Sequence, residues 1–88
     1  MSAMTITVYT KPGCSPCKLT IGKFESAGLD PQVVDISVTP AALEYITEEL
    51  GYVQAPVVVY ERDGSEDHWS GLNPDKINQV IALETPST

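Results

Sequence analysis

Tyr9-Thr10-Lys11-Pro12-Gly13-Cys14-Ser15-Pro16-Cys17-Lys18 holds the only two cysteines of the chain. A strand-like run, Met4 to Tyr9, leads into it, and a helix-like run, Lys18 to Ala27, leads out. A C-x-x-C at a strand-to-helix junction in a small βαβ pattern reads as a thiol–disulfide redox pair. Cysteines three apart in a first helical turn lie on one side, close enough to form a small disulfide ring. Unpaired N–H groups and the positive dipole end of the helix stabilise a thiolate there, and Lys11 and Lys18 add positive charge on either side. Cys17, Ile21 and Phe24 share an i, i+4, i+7 stripe, so Cys17 is expected to face the core. Cys14, in its Gly-Ser-Pro setting, is expected to be exposed. The sequence therefore assigns Cys14 as the attacking thiolate and Cys17 as the resolving thiol. Pro16 lacks an N–H, which removes one donor from the thiolate and favours a stronger reductant.

Two other readings of the pair are weaker. Structural zinc takes four ligands, and the chain offers only Cys14, Cys17 and its single histidine, His68. A purely structural disulfide over so short a loop adds little stability. No metal and no bound cofactor are therefore expected.

The 88 residues make one small domain, spanning 1–88, near the lower limit for a self-supporting core. A net charge of −7 argues against nucleic acid or an anionic membrane as partner. No stretch is apolar and long enough for a membrane span. Met1-Ser2-Ala3-Met4 lacks the basic and apolar regions of a signal peptide, so a cytoplasmic location is expected. Without an obvious apolar patch, a monomer is expected too.

The remaining segments come in a consistent order. Ile6 and Val8 alternate with Thr5 and Thr7 in the first strand. Gly28 ends the first helix, and Gln32 to Ile36 makes a second β-rich run. Thr39-Pro40 caps a second helix, whose stripe is Leu43, Ile46 and Leu50 and which ends at Gly51. Gln54 to Tyr60 is a β-branched strand, joined through the turn signal Asp63-Gly64 to a short polar edge strand, Glu66 to Trp69. Asn73-Pro74 caps a last helix with Ile77, Val80 and Ile81 on its apolar face. Residues 85–88 read as a frayed tail. The order β-α-β-α-β-β-α is an α/β, thioredoxin-like fold: a four-stranded mixed sheet flanked by three helices.

Three motifs together resemble one family. Tyr9-Thr10-Lys11-Pro12 before the cysteines, Gln54-Ala55-Pro56-Val57 before a strand, and Trp69-Ser70-Gly71 before a capped helix resemble the NrdH-redoxins, glutaredoxin-like proteins that act as thioredoxins. The resemblance runs from about Thr5 to Leu83. It departs at Ser15-Pro16, where the family usually carries Val-Gln or Met-Gln, and at Leu72, where it has phenylalanine. It implies reduction by thioredoxin reductase, with NADPH used only indirectly. It also implies electron delivery to the large subunit of class Ib ribonucleotide reductase.

The resemblance assigns further roles. Pro56, which alone reads as an ordinary trans proline at a strand start, becomes a cis-proline opposite the dithiol, presenting the Ala55 backbone to an extended substrate. Lys11 and Pro16 become supporting residues. Trp69, Ser70, Gly71 and Leu72 become partner contacts, although a lone edge-strand tryptophan more often packs. Leu19 could extend an apolar rim, and His68 receives no role.

Two alternatives stay open. A glutathione-dependent glutaredoxin shares the fold but carries Thr-Val-Pro and Gly-Gly-x-Asp-Asp where this chain has Gln54-Ala55-Pro56 and Ser70-Gly71-Leu72-Asn73-Pro74. The amine of glutathione would lack its carboxylate partners, although Lys11 could still meet a glutathione carboxylate. A non-catalytic docking module would leave the two cysteines unexplained.

Overall fold

Residues 4–85 are described by the structure, a computed structural model. The last three residues of the expected tail, 86–88, lie outside them. The first strand, β1 (Met4–Thr10), buries Ile6 and Val8 to 2% and 0% exposure while its other side chains stay half-buried, as the alternation predicts. After it come α1 (Ser15–Ser26), β2 (Gln32–Asp35), α2 (Pro40–Glu44), β3 (Val57–Arg62), β4 (Ser65–Ser70) and α3 (Pro74–Glu84). A single π-helical turn, Tyr45–Glu49, prolongs α2.

The sheet order is β2-β1-β3-β4, with β1 parallel to β2 and antiparallel to β3, and β4 antiparallel at the edge. Three helices and a four-stranded mixed sheet are thus present, as the sequence pattern requires. Val57, Val58, Val59 and Tyr60 are all buried, so β3 is covered on both faces. That is why it reads as a continuous apolar run rather than an alternating one. The β3–β4 turn places Asp63 at φ 52° and Gly64 at φ 85°, the paired positive dihedrals of a tight hairpin.

Helix α1 ends in a complete Schellman cap. Gly28 N–H donates to Glu25 O at 3.0 Å, and Leu29 N–H donates to Phe24 O at 3.0 Å. Phe24 then joins Ile6, Val8, Val58, Tyr60, Trp69, Ile77 and Val80 in the main core, which joins α1 and α3 to one face of the sheet.

Two expectations need correcting. Helix α1 starts at Ser15, three residues earlier than the periodicity suggested, because Cys14 serves as its N-cap and Pro16 fits the first turn. The expected stripe of the second helix does not form as a unit. Only Ile46 is buried, whereas Leu43 is 44% exposed and Leu50 half-exposed. The π turn inserts between Leu43 and Leu50 and rotates Leu50 out of α register.

Candidate active site

Cys14 and Cys17 are joined as a disulfide, with Cα atoms 5.2 Å apart. Cys14 occupies the N-cap of α1 with extended backbone, φ −94° and ψ 102°. Its Sγ accepts the backbone N–H of Cys17 at 3.2 Å. The sulfur thus does what a serine or aspartate oxygen does at an ordinary N-cap. Of the N–H groups in this turn, the Pro16 position supplies none, so the Cys17 donor carries this interaction. Cys17 is fully buried, as its stripe predicts. Cys14 departs from expectation: it is only 6% exposed, because its disulfide is packed against Ala55.

Ala55 precedes a cis peptide bond to Pro56, the isomer the resemblance implied. A network ties this loop to the end of β4. Gly71 N–H donates to Pro56 O at 2.8 Å, and the Ser70 hydroxyl donates to Gln54 O at 2.7 Å. Gly71 makes that reach at φ 82°, a backbone conformation that favours glycine. The three motifs, far apart in sequence, thereby converge: the dithiol packs on Ala55, and Pro56 bonds to Gly71. Beside them Lys11, Ile36, Leu43, Ile46, Tyr52 and Ala55 line a small hollow of about 50 Å³. Leu43 faces this hollow rather than the core. Val53, at its rim, is 96% exposed.

Against this geometry, a profile of the glutaredoxin family matches residues 6–64. The chain belongs to the glutaredoxin family. Among relatives of this redoxin, the glutaredoxin-like protein NrdH of Salmonella typhimurium is 34% identical over 77 residues, covering 88% of this chain and 89% of the relative. The Gene 56 protein of Mycobacterium phage L5 is 35% identical over 82 residues, covering 93% of this chain and 77% of the relative. The solved structure of the NrdH-redoxin from Escherichia coli, a glutaredoxin-like protein with a thioredoxin-like activity profile, superposes with a TM-score of 0.77. It is 31% identical and covers 96% of this chain and 99% of its own. This redoxin is accordingly an NrdH-like thiol–disulfide oxidoreductase carrying a C-x-x-C pair.

The four residues expected from the resemblance to contact a partner divide by exposure. Of the two readings of Trp69, packing and partner contact, its burial fits the packing one: it is 5% exposed and belongs to the main core. The reason is register. Trp69 pairs with Val58 and so points to the face that α3 covers. Lys76 lies over its ring at 6.0 Å and also pairs with Asp67 at 2.8 Å. That ammonium holds the Asp67 carboxyl below the usual carboxylate value. Ser70 and Gly71 anchor the loop, while Leu72 is 41% exposed and open to contact.

Two pairings were missed by sequence reading. The Tyr52 hydroxyl lies 2.8 Å from His68 Nδ1, with the rings edge to face, which binds the loop leading to Pro56 to the sheet edge. The sequence signal was parity: His68 neighbours inward-facing Trp69, so it must face the opposite side of the sheet. Tyr60 donates its hydroxyl to Glu84 Oε2, joining β3 to the end of α3. Burial first, then this bond, pushes the Tyr60 phenol up to about 12. No helix among the described residues is long and apolar enough to cross a membrane.

Proposed function

We propose that this redoxin is a cytoplasmic, monomeric electron carrier of the NrdH type. Thioredoxin reductase reduces its disulfide at the expense of NADPH, and its dithiol then reduces the large subunit of a class Ib ribonucleotide reductase. The observation that carries the reading is the Cys14 sulfur at the N-cap of α1, receiving the Cys17 N–H beside Ala55 and cis-Pro56.

The electron flow stems from that placement. In the reduced protein the Cys17 N–H and the helix N-terminus stabilise a Cys14 thiolate. The thiolate attacks one sulfur of the target disulfide, forming a mixed disulfide and releasing the other target sulfur as a thiolate, which takes up a proton. Cys17, once deprotonated, then attacks the Cys14 sulfur. The Cys14–Cys17 disulfide closes and the second target sulfur leaves, so two electrons have passed to the target. The Ala55 backbone and exposed Leu72 present the surface on which an extended target segment lies. Lys11, with no ion pair among the described residues, adds positive charge beside the hollow next to Ala55.

The glutathione-dependent alternative is disfavoured at the N-terminus of α3. Asn73 stands where the glutaredoxin pattern has its acidic pair, and its side-chain oxygen is occupied in accepting Lys76 N–H at 3.1 Å. Two NADPH-coupled assays on the oxidised protein separate the readings. Reduction by thioredoxin reductase, but not by glutathione with glutathione reductase, is the expected result. Turnover with glutathione alone would make the protein a glutaredoxin in activity as well as in family. Cys14→Ser is expected to abolish target reduction. Cys17→Ser should stop at a mixed disulfide detectable by mass, and full function in both variants would leave only a docking module.

A further inference from the structure

The charges of the chain are sharply segregated. Residues 1–24 contain three lysines and no carboxylate, whereas 25–88 contain two cations and all twelve carboxylates. The structure sharpens the division. Arg62 pairs with Asp63 and Glu84, and Lys76 pairs with Asp67. Among the described residues, Lys11, Lys18 and Lys23 have no ion pair at all. Every unneutralised side-chain cation there belongs to the dithiol loop or to α1.

Two of these lysines border a groove between α1 and α3. It is lined by Lys18, Leu19, Gly22, Lys23, Asn78 and Ile81, has a volume of about 610 Å³, and includes no carboxylate. That volume falls within the roughly 300–1,000 Å³ typical of ligand sites. Gly22 lines it, and a Cβ there would enter open space, meeting nothing within 4 Å. Leu19 is 53% exposed at its edge. The groove starts at Lys18, the residue after Cys17, and runs along α1 away from the disulfide. A lining that combines the apolar side chains of Leu19 and Ile81 with the ammonium groups of Lys18 and Lys23 suits a segment that mixes apolar and acidic side chains.

We infer that the α1–α3 groove is a second docking surface, taking an acidic–apolar segment of the disulfide-bearing partner while Cys14 attacks the disulfide itself. The inference rests on the dithiol reading and adds to it a class of partner. A protein of net charge −7 should repel an acidic segment if overall charge governed the encounter. Local attraction at the unpaired lysines along α1 reverses that preference.

The test uses the full-length reduced protein and two synthetic peptides closed by the same intramolecular disulfide. One carries a flanking Glu/Leu segment and the other the matching Lys/Leu segment. Stopped-flow rates at ~20 mM salt are expected to favour the acidic peptide by about fivefold, with the advantage falling towards unity at ~300 mM salt, where screening is strong. Lys23→Glu should invert the ratio of rates, and Gly22→Phe, which places a ring in the open space at Gly22, should bring it towards unity. A ratio at or below unity in the wild-type protein, or a ratio that neither substitution moves, overturns the groove. Failure to reduce either peptide, together with failure on the uncharged 2-hydroxyethyl disulfide, would instead remove the dithiol reading beneath it.

Discussion

At the scale of single residues, the Cys14 sulfur is served by one identified backbone donor, the N–H of Cys17. Replacing Pro16 restores an N–H to the same turn. Pro16→His is therefore expected to stabilise the reduced form and raise the reduction potential by on the order of 30 mV, measured by equilibration with a dithiol buffer. No upward shift would sever Pro16 from the reducing power of the pair. In the core, Phe24 is fully buried between α1 and the sheet. Phe24→Ala should cost about 3–5 kcal/mol in urea unfolding, a large share of what a domain this small possesses. Much at this scale was legible beforehand. The burial of Cys17 followed from its helical stripe, and the lone C-x-x-C located the chemistry. The packing of Trp69 was already the commoner reading for an edge-strand tryptophan, but the burial of Cys14 was not legible, because it depends on Ala55, which reaches it from a distant part of the chain.

At the scale of elements, local signals fixed most boundaries. Gly28 closes α1, Asp63-Gly64 turns the hairpin, and Asn73 caps α3 through its side chain. Asn73→Ala should lower stability by about 1 kcal/mol in urea unfolding. Gly22 is the opposite case, a glycine inside α1 with ordinary dihedrals and open space where a Cβ would go. Gly22→Ala should therefore raise stability by about 0.8–1 kcal/mol, read as a higher urea midpoint. A fall instead would mean that the methyl group meets something in solution. The second helix is where sequence reading fell short. A spacing of three and four residues presumes 3.6 per turn, and nothing in Tyr45–Glu49 announces the wider π turn that displaces Leu50. The loop around cis-Pro56 was legible only through family resemblance, since an X-Pro bond before a strand is usually trans.

At the scale of the whole molecule, stability should depend on pH at the alkaline end through Tyr60. Its pKa is raised from 10.0 to about 12, so its contribution is complete below pH 10 and is lost as the pH climbs through about 12. Tyr60→Phe should lower stability near neutrality by on the order of 1.5–3 kcal/mol, because the bond to the Glu84 carboxylate is gone. It should also flatten the decline between those two pH values in urea titrations. Asp67 works in the reverse sense. Its pKa is held below 3.8, so its pairing with Lys76 stabilises the fold above that pH and is lost on further acidification. The pair is half-exposed, so the effect should be small and should shrink with added salt.

The sheet order also bears on how this protein shares a crowded solution with copies of itself. Both outer strands leave backbone donors and acceptors that another chain could adopt as the next rung. Here β2 is only four residues long, and β4 carries Glu66, a carboxylate with no ion pair among the described residues. Two molecules approaching edge to edge meet either too little strand to zip together or matching negative charge. A thiol–disulfide oxidoreductase built on this sheet is thereby guarded against edge-to-edge capture by its own kind.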